Sequence, residues 1–186
     1  MGTGIIICGL NGAGKSTLGR ALAKEWKFHF IDAEDLYSSK DDPNFPYAHP
    51  RTRDEAETLL ASEIKVHENF VFASVRGDYG EPVRSALRCA VLIDTPKEIR
   101  LRRVKERSYQ KFGSRMLPGG DLYEQEEKFF DFVGSRTENT TKEWLETLCC
   151  PVIRVDGTKS VEENIRLITE RLPHIRIADL FNDLQE

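Results

Sequence analysis

Gly9, Gly14, Lys15 and Ser16 set out G-x-x-x-x-G-K-S near the amino end of the chain. An apolar run, Ile5-Ile6-Ile7-Cys8, precedes them, and a helix-like pattern follows. Glycines at 9, 12 and 14 let backbone N–H groups turn inward around phosphate oxygens with no Cβ in the way. A helix that starts near Lys15 aims its positive end at the same anion. Gly9, Asn11, Gly12, Ala13, Gly14, Lys15, Ser16 and Thr17 are therefore expected to hold a nucleoside triphosphate. Lys15 reaches the β- and γ-phosphates in this reading, and the Ser16 hydroxyl is a ligand of Mg²⁺. The bland alternative is a glycine-rich turn that binds nothing.

A second group with chemical potential is Asp32, Glu34 and Asp35, just past the next apolar run. A carboxylate facing the γ-phosphate can orient or deprotonate an attacking hydroxyl and share the cation. The same acids also suit a helix N-cap and first turn, which is the structural alternative. A third group is Arg103 and Arg107, four residues apart, so that on a helix both guanidiniums share a face. Beyond them, Lys111 and Arg115 sit on a loop hinged by Gly113, Gly119 and Gly120. Positive charge on such a loop suits a lid, at about 107–122, that closes over phosphates and excludes water. The alternative is a solvated basic face paired with Glu124, Glu126 and Glu127.

The elements that must position these groups alternate. Strands are expected at 4–8, 28–31, 70–75, 90–93 and 151–155, and helices at 15–26, 53–69, 82–87, 96–107 and 161–172. Leu59, Leu60, Ile64 and possible companion His67 are expected on the apolar face of the 53–69 helix. Residues 122–148 form a long helical region with a break near Gly134. Residues 38–50, with three prolines, form a loop. The tail is expected to pack Ile175, Ile177 and Leu180 as one more short helix. Short apolar strands alternating with helices require a parallel sheet covered on both faces. Ligands in such sheets bind past the carboxyl ends of the strands, so 9–17, 32–35, 76–78, Asp94 and 157–158 should share one edge.

A chain of 186 residues suits a single α/β domain, 1–186. With net charge −4 and no aromatic–basic stripe, nucleic acid is not the expected partner. No apolar run reaches the roughly 18 residues of a membrane span. Met1 leads almost directly into the first strand, so no signal peptide is expected. Cys149 and Cys150 are adjacent, which fits neither C-x₂-C metal spacing nor a disulfide frame; reduced thiols and a cytoplasmic location follow. His49 and His67 have no partner at metal or catalytic spacing and read as ordinary loop and helix residues.

With these motifs the chain resembles the small P-loop kinases, the group of adenylate, shikimate and gluconate kinases, over nearly its full length. The resemblance implies an α/β, three-layer P-loop NTPase fold: a five-stranded parallel sheet with helices on both faces and a lid. It implies ATP and Mg²⁺ as cofactors and a small-molecule acceptor, and by analogy a monomer or weak dimer. Phe30-Ile31-Asp32-Ala33-Glu34 is similar to the Asp-x-Asp of sugar-acid and shikimate kinases, which implies Asp32 near Mg²⁺ and the acceptor hydroxyl, and Glu34 or Asp35 on the acceptor. Arg103-Val104-Lys105-Glu106-Arg107 is similar to the Arg-[Ile/Val]-x-x-Arg of adenylate-kinase-like proteins, which implies Arg103 beside adenine and Arg107 on phosphates. Arg136 aligns loosely with another phosphate-directed arginine, and Gly157 with the turn whose backbone lies against adenine. The acceptor region is expected at about 35–78, with Arg51, Arg53 and Arg76 as candidates. Val75-Arg76-Gly77-Asp78 lacks both the triple glycine of shikimate kinases and the Gly-x-Pro-Arg of adenylate kinases, so the acceptor stays open between nucleotide, nucleoside and sugar-acid-like molecules. The implied activity is ATP-dependent phosphotransfer with Lys15, Asp32, Arg107 and Arg115 as catalytic groups. The alternative is a nucleotide-dependent ATPase or switch that binds a partner protein.

Overall fold

The computed structural model describes residues 2–38 and 50–172. Its centre is β1 (Gly4–Cys8), whose five residues are all buried. Parallel neighbours flank it on both sides: β3 (Phe70–Ala73) and β4 (Leu87–Asp94). The edges are β2 (His29–Asp32) beyond β3 and β5 (Val152–Asp156) beyond β4, giving the order β2-β3-β1-β4-β5. The chain leaves β1 toward β2 on one side, returns to β3, then crosses to β4 on the other. That reversal opens a crevice at the carboxyl end of β1, where a ligand has room.

Side chains alternate across the pleat, and the two faces of β1 belong to different cores. Ile5 and Ile7 pack with Leu18, Leu22 and Ala23 of α1 (Lys15–Trp26) and with Ile165 and Ile168 of α8 (Val161–Arg171). Ile6 and Cys8 pack on the opposite side with Leu36 of α2 (Ala33–Tyr37), Leu60 of α3 (Arg53–Val66), Val83 of α4 (Glu81–Ala86) and Leu145 of α7 (Asn139–Glu146). The result is the expected three-layer α/β arrangement with a five-stranded parallel sheet. A third, separate core joins Val104 of α5 (Lys97–Phe112), Met116 of a 3₁₀ turn (Gly113–Met116), and Phe130 and Val133 of α6 (Tyr123–Ser135). The lid is thus a packed unit rather than a bare loop.

Several boundaries depart from the sequence expectation. α5 continues to Phe112, past the expected 107. α3 stops at Val66, and Leu59, expected on its inner face, is 39% exposed; Leu60 is the residue that goes inside. The 122–148 region divides at Arg136, whose extended backbone ends α6 before α7 begins. Thr52 and Ser160 supply capping boxes with Glu55 and Glu163, which fixes the starts of α3 and α8. Ser38 and Pro50, the two ends of the expected loop, form an antiparallel bridge, and residues 39–49 between them lie outside the described residues. Ile175, Ile177, Leu180 and His49 lie outside the described residues.

Leu22 is fully buried between α1 and the sheet. Leu22→Ala is expected to cost about 2–5 kcal/mol of stability. Urea unfolding followed by circular dichroism would measure it.

Candidate active site

The glycine loop adopts the backbone that the sequence requires. Gly9, Gly12 and Gly14 have φ of 149°, 79° and 105°. A Cβ on Gly12 would sit 2.4 Å from the Arg100 carbonyl oxygen, so any side chain there would displace the loop. Gly14 precedes α1 without a side-chain cap, and the first turn of α1 carries no acid. Its leading N–H groups therefore remain open to an anion. The Lys15 ammonium donates to the Leu10 carbonyl at 3.1 Å. Burial pushes its pKa down to about 8, while the Glu34 and Asp32 carboxylates pull the other way.

Two arginines on α5 hold this loop from behind. Arg103 donates to the carbonyls of Gly157, at 2.9 Å, and Ala13, at 3.5 Å. Arg100, only 4% exposed, donates to Thr95 O at 3.2 Å and Asn11 O at 3.3 Å. Thr95 Oγ1 adds a bond to Ala13 O at 3.2 Å. Gly157 closes the clasp, because a Cβ there would lie 1.9 Å from Thr95 Oγ1. Arg103 and Gly157, expected beside a base, are joined to each other and to the phosphate loop. Sequence reasoning missed Arg100, although it lies three residues before Arg103 and so on the same helix face.

In front of the loop lies a cavity of about 610 Å³. Lys15, Ser16, Asp32, Glu34, Arg53, Arg76 and Arg136 all line it. Asp32 is the N-cap of α2, the structural alternative, and it also lines the cavity. Its Oδ1 accepts from the Glu34 N–H at 3.1 Å as the N-cap of α2, and its Oδ2 lies 3.5 Å from Arg20. Arg53 and Arg76 both pair with Asp78. Arg136 leaves the end of α6 to donate to Asn11 Oδ1 at 3.0 Å, and its guanidinium lies over the Phe132 ring. Burial, then the like charges of Arg76 and Arg100, pull the Arg136 pKa down. Thr17 and Asp35 are exposed and outside this lining, and Arg51 donates to the Asp35 and Leu36 carbonyls.

A second cavity, of about 480 Å³, opens between α5, α6 and the loop. Asn11 and Glu34 line both cavities, which makes them two parts of one cleft. Arg107 lies in this second part, 3.6 Å from Glu34, and so bridges the lid to the acid side. Glu126 is 5% exposed and its Oε2 has no hydrogen-bond partner among the described residues. Arg115, expected to swing over phosphates, instead grips Asp121 with a fork of bonds at 2.6–3.3 Å and lines neither cavity. The local cause is the tight turn at Gly120, which brings Asp121 back beside Arg115.

Residues 5–128 match the AAA domain family. The chain belongs to that family. The uncharacterized protein YqaC of Bacillus subtilis (strain 168) is 27% identical to this AAA-domain chain over 176 residues, which cover 90% of the chain and 96% of that protein. Among solved structures, a gluconokinase from Sinorhizobium meliloti 1021 is 17% identical, with a TM-score of 0.52, covering 98% of this chain and 95% of its own. A deoxyadenosine kinase from M. mycoides, solved with its products, is likewise 17% identical, with a TM-score of 0.53, covering 93% and 100%. The AAA-domain chain therefore has the fold of the small P-loop kinases.

The depressed Lys15 pKa gives this protein a testable signature. A base whose pKa falls on folding binds fewer protons when folded, so its burial costs stability below about pH 8 and stops doing so as pH rises past its unfolded value of 10.5. Relative to Lys15→Met, the nucleotide-free wild type is expected to gain stability between those limits. Urea unfolding of both proteins at pH 7 and pH 10 measures the difference, and subtracting the variant removes other titrating groups.

Proposed function

We propose that this protein transfers the γ-phosphate of ATP to a small anionic acceptor. The observation that carries the reading is a single cavity lined by Lys15 and Ser16 of the phosphate loop together with Asp32, Arg53, Arg76 and Arg136. Three guanidiniums lining a single cavity suit a phosphate or carboxylate on the acceptor: Arg53 and Arg76 share the Asp78 carboxylate, and the like charge of Arg76 bears on Arg136, which an anion would relieve. This favours nucleotide or sugar-acid-like molecules over a neutral nucleoside.

In this reading the inward N–H groups of residues 9–17 and the Lys15 ammonium hold the triphosphate. Ser16 and Asp32 offer hard oxygen donors in the same cavity, which fits Mg²⁺, and Mg²⁺ would supply charge neutralisation at the phosphates. Glu34, in the same cavity, orients the acceptor. Asp32 accepts the acceptor's proton as its oxygen bonds to the γ-phosphorus, and ADP leaves with the bridging oxygen. Arg107 comes from the lid to neutralise charge in the transition state, and Arg136 does so from the end of α6. We assign Arg115 to lid structure through its Asp121 pair instead of catalysis.

Lys15→Ala and Arg107→Ala are expected to reduce phosphoryl transfer by about 10³-fold or more, while Arg115→Ala keeps most of it. Asp32→Asn should lower kcat with little change in nucleotide affinity. The measurement is ADP formation with and without a panel of nucleotides, nucleosides and sugar acids. ADP release that never depends on a small acceptor would replace this reading with that of a nucleotide-driven switch.

A further inference from the structure

Far from the cleft, at the opposite end of β2, three side chains with metal-binding atoms converge. His29 opens β2, Glu63 lies in the last turns of α3, and His67 caps that helix. His29 Nε2 lies 2.7 Å from Glu63 Oε2, and His67 Nε2 lies 4.0 Å from the same oxygen. The imidazole rings stack with centroids 3.7 Å apart and planes 15° from parallel. One ligand atom from each residue lies within 4.8 Å of the other two. We propose that His29, Glu63 and His67 form a binding site for a borderline divalent transition-metal ion, best matched by Zn²⁺.

The donor set is the first argument. Two imidazole nitrogens and one carboxylate oxygen suit Zn²⁺ and its neighbours, whereas Mg²⁺ takes oxygen and water. Geometry is the second. Ligands about 2.0–2.1 Å from a tetrahedral centre stand roughly 3.3 Å apart. The observed 2.7 and 4.0 Å bracket that value; the stacked rings hold their nitrogens in parallel planes, so binding requires an imidazole to turn, and all three side chains are partly exposed. Charge is the third. The hydrogen bond between His29 and Glu63 serves only that pair, while a dication serves both rings and the carboxylate together. Binding takes the imidazole tautomers that carry their hydrogen on Nδ1 and leaves a fourth position for water. The ion would tie the start of the edge strand to the end of α3. The far ends of these same two elements carry Asp32 and Arg53 to the cleft. The site is independent of the phosphotransfer reading and is tested without nucleotide.

The test is calorimetry of the whole protein, stripped with chelator, titrated with Zn²⁺ in excess Mg²⁺, alongside thermal unfolding with and without Zn²⁺. One zinc per chain and a raised Tm are expected. His67→Ala and Glu63→Gln should each weaken binding by more than about tenfold, with unfolding in the absence of zinc near wild type. Cys149 and Cys150 are free thiols and the natural rival ligands, so a Cys149→Ser, Cys150→Ser double variant is the control and should bind zinc as wild type does. Absence of zinc binding, unchanged affinity in both His67→Ala and Glu63→Gln, or loss of binding in the cysteine variant would each overturn the proposal.

Discussion

A loop that turns its N–H groups inward around an anion must turn carbonyls outward. Those carbonyls need donors, since a buried unpaired acceptor is costly. Arg100 and Arg103 supply them, holding the Asn11 and Ala13 oxygens from behind the loop. The rest of the site depends on this clasp. It fixes the loop against β4 through Thr95, and against the turn after β5 through Gly157. It also explains two glycines. Gly12 presses on the backbone of Arg100, and Gly157 presses on Thr95, so neither position has space for a side chain. Arg100 is a buried cation whose recorded hydrogen bonds run to carbonyls, an arrangement suited to a guanidinium with its fan of donors.

The cleft in front of the clasp is built from parts that move in sequence from far apart. β1 and α1 bring Lys15 and Ser16, β2 brings Asp32, the segment after β3 brings Arg76, and the end of α6 brings Arg136. Asn11 and Glu34 stand where its two chambers meet. The Arg107–Glu34 pair crosses that junction. It is exposed enough to be worth little as a stabilising contact, so it can break without cost to the fold. Among the described residues no helix is long and apolar enough to cross a membrane.

The sequence was most legible where local pattern and tertiary demand agree. β1, the glycine loop and α1 fall at the expected residues because the apolar run, the turn chemistry and the helix period all agree there. β3 and β4 were readable in their apolar centres but not at their ends: β3 stops at Ala73, short of the expected 75, and β4 starts at Leu87, where a helix end was expected, with Arg88 inside it. Errors arose where contacts between distant residues decide. Leu59 has the right residue type for the core, yet it is 39% exposed, and the inner face of α3 is carried by Ala56 and Leu60, which share a core with Phe72 and Val83. Arg115, expected as a catalytic group, is paired with Asp121, a contact that its charge and spacing did not announce. Nothing in local pattern marks Arg100 as buried, or His29 as the neighbour of His67 across 38 residues.

The helix that clasps the loop is also the helix that carries the lid. Arg100 and Arg103 anchor the first half of α5, which ends at Val104 in the small core, while Arg107 lies in its second half. Sixteen residues of unbroken helix make a rod about 24 Å long. A rod pinned near one end is a lever. The hold on the loop carbonyls therefore also fixes where Phe112 and Arg107 stand at the second cavity.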